Sequence, residues 1–329
     1  MGTHFDLRRT LIYLGFAYGI AIAVTVVIVL SGGLQHSPAL FTLGGAPIPL
    51  ALVLLATVYM FAPTYSHLLT RWITREGWGG VNLRPLLRRG WRYWLIAYFH
   101  PIILTVLGAA LFFVVSPQYF DPKMTAVVQT ATQALKASAQ SIPASALPAL
   151  ILTQATLGIA VGVFINCLFT FGEEFGWRSY LLMRLAPLGW RRAMLLMGLI
   201  WGTWHWPILL LGYNYGLDVP GAPWSGMLMF ILFTWSAGTV LAWLSLKAGS
   251  LWPGVIGHAA INACAGLGIL FVQNKPDTLL GPAPIGIVGM APWLIVAIVV
   301  FLRPGLPAEP VSAPDQGQAG PLPGLDAAG

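Results

Sequence analysis

The stretch Asn166–Tyr180, NCLFTFGEEFGWRSY, decides how the rest of the chain is interpreted. Two adjacent carboxylates, Glu173 and Glu174, stand at the end of a long apolar run, and Arg178 follows one helical turn after Glu174. The chain has ten acidic residues, and the other eight lie in the tails or in predicted loops. Because an ionisable group at membrane depth costs about 2.5–3.5 kcal/mol or more, this pair marks a functional site.

The composition around this stretch is that of a membrane protein. Of 329 residues, 57% are hydrophobic and 8% are charged, whereas a soluble domain is about 25% charged. The apolar runs are continuous rather than alternating, which favours helical spans over a β-barrel. We therefore predict an all-α polytopic membrane protein embedded in the lipid bilayer. The net charge of +7 comes mostly from Arg residues near span ends, so nucleic-acid binding is not expected.

The apolar runs predict about eight transmembrane helices. The fourth is expected to continue as a helix to about Leu185, before a tight turn at Pro187 and Gly189. The predicted spans run over about Leu11–Leu30, Pro49–Leu69, Trp94–Val115, Pro148–Gly172, Arg192–Leu211, Met227–Leu246, Leu251–Val272 and Ile285–Leu302.

The distribution of basic residues predicts the orientation of these spans. With eight alternating spans, 14 of the 17 Lys and Arg residues fall on one side of the membrane, and only Lys123, Lys136 and Lys275 fall on the other. Basic residues concentrate in cytoplasmic loops. Both the N- and C-termini are therefore expected in the cytoplasm.

Three regions follow from this arrangement. Residues 1–147 form an N-terminal three-span region with an Arg-rich cytoplasmic loop, and residues 148–302 form a five-span region that holds the acidic pair. Residues 303–329 are rich in Pro, Gly and Ala and are expected to be disordered. Between the third and fourth spans, residues 124–140 predict a weakly amphipathic surface helix.

The side chains of Glu173 and Glu174 are predicted to lie on two different faces of the helix. Glu174 and Arg178 are four residues apart and face the same way, so they are expected to form an ion pair. Glu173 points about 100° away from Glu174 and shares its face with Asn166 and Tyr180. The alternative is that both acids lie at the membrane interface and are solvated by headgroups.

A histidine in the next span is a candidate partner for Glu173. Glu173 precedes Gly189 by sixteen residues, and His205 in WGTWHWP follows it by sixteen. In an antiparallel helical hairpin the two residues lie at matching depth, roughly 20 Å from the turn. The alternative for His205 is a structural histidine whose hydrogen bonds are satisfied.

The seventh span supplies a further pair, His258 and Asn262 in HAAIN. They are four residues apart, share one helix face and lie near the depth of the first pair. Their alternative role is to form hydrogen bonds between neighbouring helices. His67 and His100 have no such partners in the sequence, so they are expected to be structural or interfacial.

These side chains are suited to hydrolysis of an amide without a Ser or Cys nucleophile. A carboxylate and an imidazole can hold a water and take its proton. A His and an Asn can donate hydrogen bonds to an oxyanion. Glu173, His205 and His258 are also potential ligands for a divalent metal such as zinc, although the usual His-Glu-x-x-His spacing is absent.

Three motifs carry a resemblance to a known family. EEFGWR, Glu173–Arg178, resembles the Glu-Glu-x-x-x-Arg motif of the CPBP family, which includes type II CAAX prenyl endopeptidases and bacteriocin-processing, lysostaphin-resistance-like proteins. HAAIN, His258–Asn262, resembles the family's His-x-x-x-Asn motif. WGTWH, Trp201–His205, is similar to its Phe-x-x-x-His motif, with Trp in the place of Phe. The resemblance covers about Leu152–Leu270.

The resemblance implies an eight-helix intramembrane endopeptidase that hydrolyses a peptide bond of a membrane-associated protein or peptide. It implies that Glu173 and His205 activate the water, that His258 and Asn262 hold the oxyanion, and that Glu174 and Arg178 support the motif helix. The family is described both as glutamate-type and as metal-dependent, so the resemblance allows a reaction with or without a metal ion.

A non-catalytic membrane scaffold or immunity-type protein that retains the motifs is the alternative function. The intact set of Glu173, His205, His258 and Asn262 favours the enzyme, because a scaffold does not need all four side chains. The composition, rich in Ala, Gly, Pro and Arg, favours a bacterial inner membrane as the location.

Overall fold

The computed structural model describes residues 4–137 and 142–303 of the chain, and the described part is almost entirely helical. Residues 304–329 of the predicted tail lie outside the described residues, as do residues 138–141. The α-helices in chain order are α1 (Leu7–Leu30), α2 (Leu50–Leu54), α3 (Ala62–Ile73), α4 (Leu87–Val115), α5 (Thr125–Ala137), α6 (Leu147–Gly176), α7 (Leu182–Leu185), α8 (Trp190–Trp204), α9 (Trp206–Leu209), α10 (Trp224–Ala248), α11 (Trp252–Cys264) and α12 (Ile287–Leu302).

The chain is an all-α polytopic membrane protein, as predicted. Each of the eight predicted spans coincides with helical structure in the described residues. Within residues 4–137 and 142–303, six helical segments are long and apolar enough to cross a membrane, including a continuous one of 42 residues over Leu147–Leu188. The predicted fifth and eighth spans correspond to α8 and α12, which are shorter, with 15 and 16 residues. The sides on which the chain ends lie stay a prediction.

Two local features differ from the sequence-based prediction. Between α1 and α2 the chain forms an antiparallel hairpin of two strands, β1 (Ala39–Leu43) and β2 (Ala46–Pro49), where only a loop was expected. Pro47 and Pro49 argue against a strand in most sheets, but a two-stranded hairpin consists only of edges and tolerates them. The predicted seventh span is confirmed in extent by the candidate span Trp252–Phe271, but its α-helix, α11, stops at Cys264 and a 3₁₀ segment, Leu267–Phe271, follows.

The polar connection after α4 contains the expected surface helix as α5. Asp121 precedes this helix, and its carboxylate accepts hydrogen bonds from the backbone N–H groups of Thr125 and Lys123 at 2.6 and 2.9 Å. These donors hold the pKa of Asp121 below its usual value. The carboxylate thereby satisfies backbone donors at the start of α5, which have no partners within the helix.

The helix that carries the acidic pair is packed on both sides. α6 lies against α11 on one side and against α3 on the other, while α8 packs on α10. Gly176, inside the EEFGWR motif, permits the close approach of α3, because an added Cβ would come within 2.4 Å of Pro63. The acidic end of α6 is therefore held inside the bundle rather than at its surface.

Candidate active site

The EEFGWR motif lies at a change of helical geometry. α6 ends at Gly176, a single π-helical segment covers Trp177–Leu181, and the α-helix resumes at Leu182. All residues from Gly172 to Leu182 are buried. π-Helical turns occur frequently at functional sites, where they re-aim side chains relative to a regular helix. The alternative in which the acids are solvated by headgroups does not fit this burial.

Glu173 is held by neutral donors. Its residue is 3% exposed, and its Oε2 accepts hydrogen bonds from the indole N–H groups of Trp201 at 2.8 Å and Trp177 at 3.3 Å. Neither indole carries a charge, so these two contacts bring no cation to the carboxylate. Both donors contact the same oxygen, and Oε1 has no donor among the described residues.

Glu174, by contrast, is held by charged or chargeable groups. Its Oε1 accepts from Arg178 Nη1 at 2.9 Å and from His258 Nδ1 at 2.9 Å, and the side chains of Glu174 and Arg178 are fully buried. The ion pair expected from the i,i+4 spacing is therefore present. His258 connects it to α11, so the pair joins two helices of the bundle.

The second oxygen of Glu174 faces a small polar space against α11. Oε2 is buried and has no hydrogen-bond partner within the described part of the chain, and the same holds for Ser245 Oγ. Gly254 separates them, since a Cβ at this position would lie 2.7 Å from Ser245 Oγ and 3.0 Å from Glu174 Oε2. The absence of a side chain at Gly254 keeps this space open.

His205 lies at a break between two helices, although the sequence predicted it in the middle of one. α8 ends at Trp204, and α9 begins at Trp206 with Pro207 in its first turn. The imidazole Nδ1 lies 2.8 Å from the carbonyl oxygen of Trp201. Because a carbonyl only accepts, Nδ1 must donate, and Nε2 is then the acceptor of the neutral ring.

Aromatic rings surround this histidine. The ring centroids of Trp204 and Phe230 each lie 4.7 Å from that of His205. Tyr59, from the N-terminal region, lies 6.4 Å away and donates its hydroxyl to the Trp204 carbonyl at 2.7 Å. The carboxylate of Glu173 and the imidazole of His258 both interact electrostatically with His205. An apolar wall therefore encloses an imidazole that has two titratable neighbours.

Trp201 connects the members of the site, a role that was not predicted from the sequence. Its indole N–H donates to Glu173, and its carbonyl accepts from His205. Its ring packs edge-on against His258 at 5.2 Å, and the Arg178 guanidinium lies 4.7 Å from the ring centroid. The sequence contained one signal for this role, which is that the residue is Trp. A Phe at this position would have no N–H to donate.

Asn262 stands apart from the buried cluster. It lies one turn beyond His258 on α11, as the spacing predicted, but its residue is exposed. No hydrogen bond of its side chain occurs within residues 4–137 and 142–303. The structure thus brings Glu173, Glu174, Arg178 and His258 into one buried network and leaves Asn262 at its edge.

The side chains named as potential metal ligands do not converge on a common point. In the described ranges no group of three His, Cys, Asp or Glu side chains is arranged to hold a metal ion. His258 Nδ1 is engaged by Glu174, and His205 Nδ1 is engaged by a backbone carbonyl. Glu173, His205 and His258 thus do not belong to such a group, and the Nδ1 contacts leave Nε2 of each ring as the nitrogen that these partners do not occupy.

A second cluster of charged side chains lies beside the helix that carries the EEFGWR motif. It is centred on Glu76, which was predicted to lie in a loop. The Glu76 side chain is 6% exposed and pairs with Arg9 and Arg184. It also accepts from Tyr180 at 2.9 Å and Thr74 at 2.7 Å. Glu76 therefore ties the chain beyond α3 and the start of α1 to the motif helix.

His67 makes a similar connection from α3. Its Nδ1 contacts the carbonyl oxygen of Phe175 at 3.1 Å, and Arg71 Nε donates to its Nε2 at 2.6 Å. His67 is buried, and its ring packs against Phe175 and Tyr180. Both ring nitrogens thus have protein partners, which agrees with the structural role expected for this histidine.

Comparison with known proteins extends the resemblance drawn from the motifs. Residues 151–264 match the family model of the type II CAAX prenyl endopeptidase, Rce1-like. This match covers about a third of the chain, and over these residues the chain is similar to that family. The matched segment contains Glu173, Glu174, Arg178, Trp201, His205, His258 and Asn262.

A curated protein that this chain resembles is CAAX prenyl protease 2 from the archaeon Methanococcus maripaludis. The two are 31% identical over 93 residues, which is 27% of this chain and 34% of the relative. The chain thus spans about a third of the length of the curated relative that it matches. The hairpin, α1–α5, α12 and Glu76 itself lie outside the family match, whereas its partners Tyr180 and Arg184 lie inside it.

Proposed function

We propose that this chain is an intramembrane endopeptidase that hydrolyses a peptide bond of a membrane-associated protein or peptide. One observation carries the proposal. Two adjacent glutamates, buried within an apolar bundle, have different surroundings: neutral indole donors hold Glu173, and a cation and an imidazole hold Glu174. A charged carboxylate enclosed among apolar groups is costly, which points to a chemical role for Glu173. The similarity of residues 151–264 to the type II CAAX prenyl endopeptidase family supports the same activity.

In the proposed reaction, Glu173 and His205 activate a water molecule. The water lies against Glu173 Oε1, the oxygen without an indole donor, and His205 Nε2 shares in accepting its proton. The water oxygen attacks the carbonyl carbon of the scissile peptide bond and forms a tetrahedral intermediate. The proton then passes to the departing amine nitrogen, the C–N bond breaks, and a carboxylate and an amine are released.

His258 and Asn262 are the proposed oxyanion donors. With His258 Nδ1 donating to Glu174, its Nε2 faces the remaining side and donates to the oxyanion when the ring carries both protons. The exposed Asn262 amide is one turn further along α11 and is available to a substrate that enters from that side. Glu174 and Arg178 then act as positioning residues for His258.

The proposed reaction uses no metal. The basis is that the His-Glu-x-x-His spacing of ordinary zinc proteases is absent, and that no three His, Cys, Asp or Glu side chains in the described residues are arranged to hold a metal ion. Metal analysis of the purified protein, together with cleavage before and after chelation, tests this part separately. A stoichiometric divalent ion whose removal stops turnover would contradict the metal-free version, while the same residues would be retained.

The regions and location are proposed on the same basis. Residues 148–302 form the catalytic five-span region, and residues 1–147 contribute supporting contacts such as those of Tyr59, His67 and Glu76. We infer a bacterial inner membrane, and the 14-to-3 distribution of basic residues supports a cytoplasmic location for both termini and the Glu76 cluster.

Proteomics of protein N-termini tests the activity and does not require an identified substrate. Membranes that contain the wild-type chain, Glu173→Gln or the control Asp218→Asn are compared. Asp218 is an exposed carboxylate paired with Lys275, so the control makes the same chemical change away from the site. We expect new N-termini in wild-type and Asp218→Asn membranes that are absent from Glu173→Gln membranes. Identical N-termini in all three would contradict the protease and favour the scaffold.

A further inference from the structure

A basic cavity lies outside the candidate active site, where α1 begins and α3 ends. Its volume is about 360 Å³. Its walls are formed by Asp6, Arg8, Arg9, Ile73, Thr74 and Arg75. Because α1 and the segment Leu50–Ile73 are consecutive candidate membrane spans, the beginning of one and the end of the other lie at the same membrane surface. The cavity therefore opens at the boundary between bilayer and water.

The charges around the cavity do not balance. Arg9 pairs with Asp6 at 3.2 Å and with Glu76 at 3.3 Å, and Glu76 also pairs with Arg184. The two positive and two negative charges of these four side chains cancel. Arg8 and Arg75 have no carboxylate within 4.0 Å in the part of the chain that the structure describes, and both are exposed. Two guanidinium groups are thus available for an anion.

The other walls of the cavity limit the kind of anion. Ile73 is 47% exposed and provides an apolar surface next to the arginines. Asp6 places a carboxylate at the wall, but it is occupied by the backbone N–H and the guanidinium of Arg9. A phosphate group with an attached apolar tail matches this combination, because Arg binds phosphate bidentately and the tail continues along the helices into the bilayer.

We propose that this cavity binds the phosphate of an anionic phospholipid headgroup, with Arg8 and Arg75 as its ligands. Basic pockets between helices on the cytoplasmic side are suited to such headgroups, and each Arg near the surface contributes favourably to their binding. The bound lipid also contacts the elements that Glu76 ties to the motif helix. The proposal does not depend on the peptidase activity.

The test uses the purified full-length protein in a neutral detergent. Retained lipid is measured by native mass spectrometry, and the unfolding temperature is measured with added phosphatidylglycerol, phosphatidylcholine or inorganic phosphate. The cavity variant is Arg8→Gln/Arg75→Gln. The matched control is Arg191→Gln/Arg192→Gln, which removes the same charge from two exposed arginines at the start of α8.

We expect phosphatidylglycerol to bind and stabilise the wild type and the control, while phosphatidylcholine does not. Loss of two arginine contacts should weaken phosphatidylglycerol binding by a factor on the order of 25 in the cavity variant. An equal loss in the control would show a general effect of charge and overturn the site. Equal stabilisation by inorganic phosphate would overturn the lipid assignment and indicate a soluble phosphate ligand.

Discussion

Glu173 and Glu174 are neighbours in the chain, yet the structure gives them opposite surroundings. Glu173 accepts hydrogen bonds only from the neutral indoles of Trp177 and Trp201. Glu174 is neutralised by Arg178 and anchored by His258. A carboxylate without a cationic partner is available as a proton acceptor, whereas one in a buried ion pair is committed to the fold. We therefore infer that Glu173 takes part in the reaction and that Glu174 stabilises the fold.

Apart from substitution of Glu173 itself, the largest effect on cleavage is expected from substitution of His205. His205→Ala should lower cleavage by about 10²–10⁴-fold, because it removes a group that shares the proton of the attacking water. Cleavage of a substrate found by N-terminal proteomics is the measurement. The control is His100→Ala, since His100 lies on α4 and its Nδ1 contacts the carbonyl of Ile96 on the same helix. An equal loss in both variants would contradict a specific role for His205.

On the Glu174 side the expected effect is on stability. Arg178→Ala leaves a buried carboxylate without its cation, which should lower the free energy of unfolding by about 3–5 kcal/mol. Thermal unfolding in detergent measures it, and Arg191→Ala serves as the control because Arg191 is exposed. If Arg178→Ala keeps wild-type stability but cannot cleave, Arg178 has a direct chemical role and the comparison fails.

A smaller effect on stability is expected from a substitution at Gly254, where α11 approaches Glu174. Gly254→Ala places a methyl group 2.7 Å from Ser245 Oγ and 3.0 Å from Glu174 Oε2, which should cost about 1–3 kcal/mol of stability through overpacking. Gly158→Ala is the matched control, because a Cβ there meets nothing within 4 Å. Equal unfolding temperatures for the two variants would show that the space near Glu174 does not constrain the fold.

The smallest effect is expected from Trp201→Phe. The change keeps a ring beside Arg178 and His258 but removes the N–H that donates to Glu173. Trp177 still donates to the same oxygen, so we expect cleavage to fall by about tenfold, the lower end for a hydrogen bond to a charged group. Unchanged cleavage would mean that Trp177 alone is enough to orient Glu173.

The helices and the ion pair could be predicted from the sequence because both depend on local spacing. Apolar runs of span length defined the bundle, and the i,i+4 relation of Glu174 and Arg178 involves a single helix. The break at His205 could not be predicted in this way, because there the imidazole takes the Trp201 carbonyl and Pro207 starts a new helix. The burial of Glu76 was also missed, because its partners Arg9 and Arg184 come from distant parts of the chain.

One paired measurement tests the assignment of Glu173 and Glu174 most directly. Glu173→Gln and Glu174→Gln are purified in parallel, and both cleavage and unfolding temperature are measured for each. We expect Glu173→Gln to unfold close to the wild-type temperature, because the amide oxygen still accepts from the indoles, but not to cleave. Glu174→Gln should unfold at a clearly lower temperature, because Arg178 is left as an unpaired buried charge. Cleavage by Glu173→Gln, or its loss of stability beside a stable Glu174→Gln, would contradict the account.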